Sequence, residues 1–151
     1  MNKIFTKPFL KTLFWHQNKW HKHGVLVHTL KVVYHAVKIG RLDLVPAALF
    51  HDIGKPYTAY HDKEDIEGGC KDYSFTNHEE ISYYIVKDWK FLSRRTKNII
   101  RYHYHIRAIK KARKKGNIGK LNRLLRDWKK LSPALKADLA VFLKIDDLAK
   151  K

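Results

Sequence analysis

The chain has 151 residues, 44% of them apolar and 13% aromatic, which is enough for one packed core and suits a single domain over 1–151. Its 32 Lys and Arg against 14 Asp and Glu leave a formal charge of +18, a surface that attracts polyanions. The lone cysteine, Cys70, excludes an internal disulfide, and neither a signal-peptide core nor a run approaching the roughly 20 apolar residues of a membrane span is found, so a cytoplasmic protein is expected.

Apolar stripes of helical period recur and no long β-alternating run occurs, so the expected fold class is all-α. Residues 1–23 read as an N-terminal extension packing on a core over 24–149. The first predicted helix, 25–39, places Leu26, Leu30, Val33 and Val37 on its inward stripe and stops at Gly40. The second, 43–53, has a proline in its first turn and is apolar on nearly every side, so it should be buried. From Gly54 to Asn77 the chain is long for a connection and reads as a functional flap, partly hairpin. Asn77 and Glu80 have the spacing of a capping box for a helix from His78 to about Phe91, with Ile81, Tyr84, Ile85 and Trp89 inward. Further helices are expected near 93–114, 118–131 and 133–149, the last opened by Ser132-Pro133.

His51 and Asp52 are the first candidates for chemistry, because an ionised carboxylate inside AALFHDI is costly unless a metal ion compensates it; a histidine hydrogen bond or a salt bridge would do so equally, and the dipeptide alone favours one of these. In the last helix Leu135, Leu139, Phe142 and Asp146 fall at i, i+4, i+7 and i+11, so Asp146 faces the core, whereas Asp138 and Asp147 should be solvated. His28 and His35 both border an apolar arc, and periodicity does not choose between them. His103 shares a stripe with Ile99 and Ile106 and should point inward, leaving His105 exposed.

The order His28, then His51-Asp52 in ALFHDIGKP, then Asp146 resembles the H…HD…D signature of HD-domain phosphohydrolases. VLVHTLKV, AALFHDIGKPYT, FTNHEEIS and the terminal KIDDLA look more specifically like the HD region attached to bacterial tRNA nucleotidyltransferases, over about residues 24–149. No nucleotidyltransferase region accompanies it here, so the resemblance implies hydrolysis rather than nucleotide addition; Asn77 stands where those relatives commonly carry a glycine. It implies an HD-type helical bundle with His28, His51, Asp52 and Asp146 as metal ligands, and His78 and His103 as ligands of a second ion or phosphate contacts.

With imidazole and carboxylate donors and no thiolate, the cofactor is a divalent ion: manganese, nickel, cobalt, iron, zinc or magnesium. The catalytic residues expected are Asp52, which binds metal and orients or deprotonates water, His78, and Lys55, which either contacts substrate phosphate or only offsets a helix dipole. Arg107, Lys110, Lys111, Arg113 and Lys114 are the candidate nucleic-acid contacts, or else a solvated helix face, and Trp15, Trp20, Tyr57, Tyr60 and Tyr73 are candidates to stack bases. The substrate expected is an RNA end or a nucleotide. The alternatives are a free deoxynucleotide, a cyclic signalling nucleotide, or a binding module with an HD fold and little activity.

Overall fold

The computed structural model describes residues 16–18, 21–67, 69 and 73–151. The expected extension lies mostly outside these residues, as do Trp15, Trp20 and Cys70. A short antiparallel pair, β1 (His16–Asn18) and β2 (His21–Gly24), leads into α1 (Val25–Lys38). There follow a 3₁₀ turn (Leu42–Leu44), α2 (Val45–Phe50), α3 (Lys55–Thr58), β3 (Ala59–Tyr60), α4 (Lys63–Glu67) and β4 (Ser74–Phe75). The chain ends in α5 (His78–Val86), α6 (Arg94–Tyr102), α7 (His105–Lys114), α8 (Ile118–Lys130) and α9 (Pro133–Leu148). The fold is all-α, and the flap holds a two-stranded hairpin in which β3 pairs with β4.

Helix α1 stops where expected. Gly40 takes φ +74°, and the Arg41 amide turns back to donate to the Ala36 carbonyl at 2.9 Å, the closing bond of a Schellman turn. Its inward face is not the expected one: Val25, His28, Val32 and Ala36 are buried, whereas Leu30 and Val37 are about half exposed. The apolar arc of α1 covers more than half its circumference, so the inward stripe is ambiguous from sequence; in the fold Val32 and Ala36 pack in one core with Ala47 and Ala48 of α2.

Helix α5 also departs from expectation. It ends at Val86, buries His78, Ser82 and Val86, and leaves Tyr84 exposed. Asn77 makes no side-chain cap; it holds φ +61°, a left-handed conformation that a glycine adopts without strain and asparagine tolerates, while Glu80 pairs with Arg101 instead. The helix expected over 93–114 breaks at His103 and Tyr104 into α6 and α7. Ser93, Asn117 and Ser132 cap α6, α8 and α9 through their side-chain oxygens.

The core is built from Val32 and Ala36 of α1, Leu44, Ala47 and Ala48 around α2, Ile99 and Ile100 of α6, and Leu139, Phe142 and Ile145 of α9. Gly54 lies directly under α5: a Cβ there would fall on the His78 carbonyl and lie 2.6 Å from the Ser82 amide nitrogen. The Gly54 amide donates to Ser82 Oγ at 2.9 Å, so His51-Asp52 and His78 are held at a spacing that only glycine permits.

Candidate metal centre

Six side chains from five places in the fold meet at one end of this core: His28 from the middle of α1, His51 and Asp52 just past α2, His78 at the start of α5, His103 at the end of α6, and Asp146 in the last turns of α9. All are buried, His51 completely. They form two groups of three, His28 with His51 and Asp146, and Asp52 with His78 and His103.

Asp52 stands between the groups. Its Oδ2 lies 3.5 Å from His28 Nε2 and 3.2 Å from His51 Nε2, while its Oδ1 lies 3.4 Å from His78 Nε2 and 3.8 Å from His103 Nε2. Asp146 Oδ1 sits 2.7 Å from His28 Nε2 and 3.7 Å from His51 Nε2. Arg107 ion-pairs with Asp146 Oδ2, and its other nitrogen with Asp147. Lys55 Nζ lies 2.7 Å from Asp52 Oδ2.

The histidine rings are set by backbone. His51, His78 and His103 each direct Nδ1 at the carbonyl three residues earlier, Ala48, Phe75 and Ile100, at 2.8, 2.8 and 2.7 Å, and His28 Nδ1 faces the Ala149 carbonyl at 3.4 Å. A carbonyl only accepts, so each Nδ1 donates and each Nε2 faces inward, where it can bind a metal once it carries no proton. Among the described residues His51 Nε2 is buried with the Asp52 and Asp146 carboxylates beside it. Burial favours protonating Asp52 and Asp146, but the neighbouring His51 and Lys55, and for Asp146 the His28, His51 and Arg107 side chains, hold both carboxyls well below the usual range. Burial holds His28 and His103 below the ordinary imidazole value. For His51, burial is outweighed by Asp52 and Asp146, which push it up to about 9.

These residues fit a divalent cation. Bonds of about 2.1 Å put two ligands of one ion about 3.0 Å apart at right angles and about 3.4 Å apart at tetrahedral angles. Within the groups, carboxylate oxygens and histidine Nε2 atoms lie 2.7 to 3.8 Å apart. Ionised carboxylates and Nδ1-donating imidazoles with inward Nε2 atoms suit metal ligation, an ion taking the place of the proton that His51 otherwise holds between Asp52 and Asp146.

A family model for the HD domain matches residues 25–139. The chain belongs to the HD domain family. It is therefore a member of a superfamily of metal-dependent phosphohydrolases, and the buried histidines and aspartates are groups that can hold the metal. No curated protein and no solved structure matches it. Asp146 and Gln17 fall outside the matched HD span, and both reach the centre.

Other candidates are placed less simply. Lys55 opens α3 rather than closing a helix; it is buried and donates to Gln17 Oε1 at 2.5 Å. Gln17, not anticipated from sequence, is buried and also donates from Nε2 to the His23 carbonyl at 3.1 Å. A glutamine carries no motif, and its partner is 38 residues away. Asp138 is buried rather than solvated, because Arg41 and Arg95 both bind it. His105 is half-buried rather than exposed: Nε2 faces the Leu124 carbonyl at 2.9 Å and the ring stacks on Trp128. His35 lies outside both ligand groups.

Beside the centre opens a cavity of about 1050 Å³, with Asp52, His78, His103 and Asp146 in its lining. Of the basic run on α7, Arg107 and Lys111 line it, whereas Lys110, Arg113 and Lys114 do not. Among the described residues no helix is long and apolar enough to cross a membrane.

Proposed function

We propose that the protein hydrolyses phosphoesters of RNA ends or nucleotides, with His28, His51 and Asp146 holding one divalent ion and Asp52, His78 and His103 a second. The observation that carries this reading is the division of Asp52: one oxygen faces each ligand group, at the wall of a cavity that also presents Lys55, Arg107 and Lys111. A divalent ion supplies Lewis acidity there, polarising phosphoryl oxygens and making water acidic enough to attack near neutral pH.

The protein's own residues do the rest. Asp52 is engaged by Lys55 on one oxygen and by histidines on both, so it orients the attacking water as a hydrogen-bond acceptor. Lys55, buried and fixed by Gln17, offsets the charge that grows on the phosphoryl oxygens. Arg107, tied to Asp146 and Asp147, places a second cation at the cavity wall. Water forms the new O–P bond, the ester P–O bond breaks, and the leaving oxygen takes up a proton.

The motif resemblance to tRNA-linked HD regions supports RNA ends first among substrates. The test is turnover by metal-stripped protein supplied with manganese, nickel, cobalt, iron, zinc or magnesium in turn, on cyclic phosphates, 2′- and 3′-phosphates and deoxynucleotides. Metal-dependent release of phosphate, or opening of a cyclic phosphate, is expected. RNA binding with a steep salt dependence and no turnover with any ion establishes a binding module instead.

A further inference from the structure

The cavity is lined by two unlike sets of residues. One comes from the α7–α8 hairpin, where residues 105–130 hold eleven Lys and Arg against one acidic residue, Asp127. Lys111, Lys115, Lys120 and Arg123 of this hairpin line the cavity. Lys111 and Lys115 are one turn apart on the chain, and the turn at Gly116, with φ +64°, brings Lys120 and Arg123 of α8 round to the same space. Helix α8 packs on α7 and contributes no buried residue, so its charged side chains are spared for a ligand rather than a core.

The flap contributes Tyr60, Tyr73 and Phe75, with Asp62, to the same lining. Tyr60 is 44% exposed, and its hydroxyl is held at 2.7 Å from Thr76 Oγ1, which fixes the ring at the rim. Tyr73 is fixed against His61, ring centroids 4.4 Å apart. Cations and aromatic rings lining one cavity are the combination that takes a single strand, phosphates on the cations and bases stacked on the rings. At about 1050 Å³ the cavity lies at the upper end of the roughly 300–1,000 Å³ typical of small-ligand pockets, room for more than one nucleotide.

The geometry points to a single-stranded oligonucleotide end as the occupant: Lys111, Lys115, Lys120 and Arg123 bind phosphates beyond the reacting one, and Tyr60 and Tyr73 stack the adjoining bases. This rests on the phosphohydrolase reading only for what happens at the metal centre; the groove binds nucleic acid in the apo protein too. A lone mononucleotide fills the reacting position and leaves the hairpin unused.

The test compares two triple substitutions of equal charge. Lys115→Gln, Lys120→Gln and Arg123→Gln together remove cavity cations; Lys110→Gln, Arg113→Gln and Lys114→Gln remove neighbours that do not line it. Binding of a fluorescein-labelled oligoribonucleotide with a 3′-phosphate is followed by anisotropy on metal-free protein over a salt series, with thermal melts confirming that both variants are folded. The cavity triple is expected to weaken binding about 30-fold at low salt and to flatten the log–log salt slope by about 2, as three lost single-strand phosphate contacts dictate. The outer triple should change affinity less than about 3-fold, and Tyr60→Ala should weaken it at least about 5-fold.

Equal losses in the two triples, or no loss in either, overturn the inference. So does equal kcat/KM for a mononucleotide 3′-phosphate and the oligonucleotide. If wild-type protein turns over neither these nor aryl phosphates with any ion, yet the binding difference between the triples holds, the phosphohydrolase reading fails and the groove stands. Turnover of aryl phosphates without that binding difference has the opposite meaning.

Discussion

The Nε2 atoms of His78 and His103 lie 3.1 Å apart, and each ring already commits its Nδ1 hydrogen to a backbone carbonyl. Two neutral rings in these tautomers oppose lone pair to lone pair, an arrangement that needs a cation or a proton between them. A proton is disfavoured on His103, which burial and the nearby His51 and His78 hold well below the ordinary imidazole value. His78→Ala and His103→Ala should therefore each lower the bound divalent metal by about one ion per chain, measured by elemental analysis after desalting; unchanged metal in both variants contradicts the second ligand group.

His51→Ala and Asp52→Ala should each abolish turnover, because each removes a group on which the centre converges. His105→Ala, which loses a contact to the Leu124 carbonyl and a stack on Trp128, should keep activity within a few-fold and cost about 1 kcal/mol of stability. Parallel kinetics and denaturant unfolding check both. Near-normal rates in Asp52→Ala rule out the assigned centre.

Gln17→Ala should act through Lys55. Without the Oε1 acceptor, Lys55 Nζ keeps Asp52 and the face of the Phe75 ring but loses its fixed hydrogen bond, and kcat should fall about tenfold through lost positioning. A merely structural role for Gln17 predicts a lower Tm with kcat unchanged. Gln17→Glu, which retains an acceptor, should recover more activity than Gln17→Ala.

Gly54→Ala places a methyl group against the His78 carbonyl and Ser82 amide. We expect a loss of about 1–3 kcal/mol on unfolding and weaker metal binding, since α5 must move and carries His78 away from Asp52. Wild-type stability and metal affinity would show that the close approach is not required.

Asp138 ties α9 to α6 and to the end of α1 through Arg95 and Arg41, which hold its carboxyl below the usual range; Asp43 is held low the same way, by Arg41 and then Arg95. A carboxyl depressed in the folded state stabilises above its unfolded value of about 3.9, and that contribution is lost as pH falls through the folded value. Asp138→Asn should cost about 1 kcal/mol at neutral pH, discounted because Arg95 is half exposed, and the gap to wild type should close below about pH 4. Thermal melts across that range decide it; a gap that widens in acid contradicts the assignment.

What the sequence revealed depended on whether a residue's partners share its helix. Asp146 was readable because Leu135, Leu139 and Phe142 mark the same buried stripe, and His103 because Ile99 does. Periodicity did not separate His28 from His35, since both stand at the same border of the apolar arc of α1; the motif resemblance pointed to His28, which the fold buries. Asp138 looked solvated because its arginines are 43 and 97 residues away. The left-handed turn at Asn77 imitated a capping box in one dimension. Gln17 had no signature at all.

The most direct measurement is anomalous scattering from crystals of protein loaded with manganese, with elemental analysis of the same sample. Two peaks are predicted, one among His28, His51 and Asp146 and one among Asp52, His78 and His103, with the Asp52 carboxylate between them. Density for no ion, or for ions bound away from these six side chains, would contradict the account.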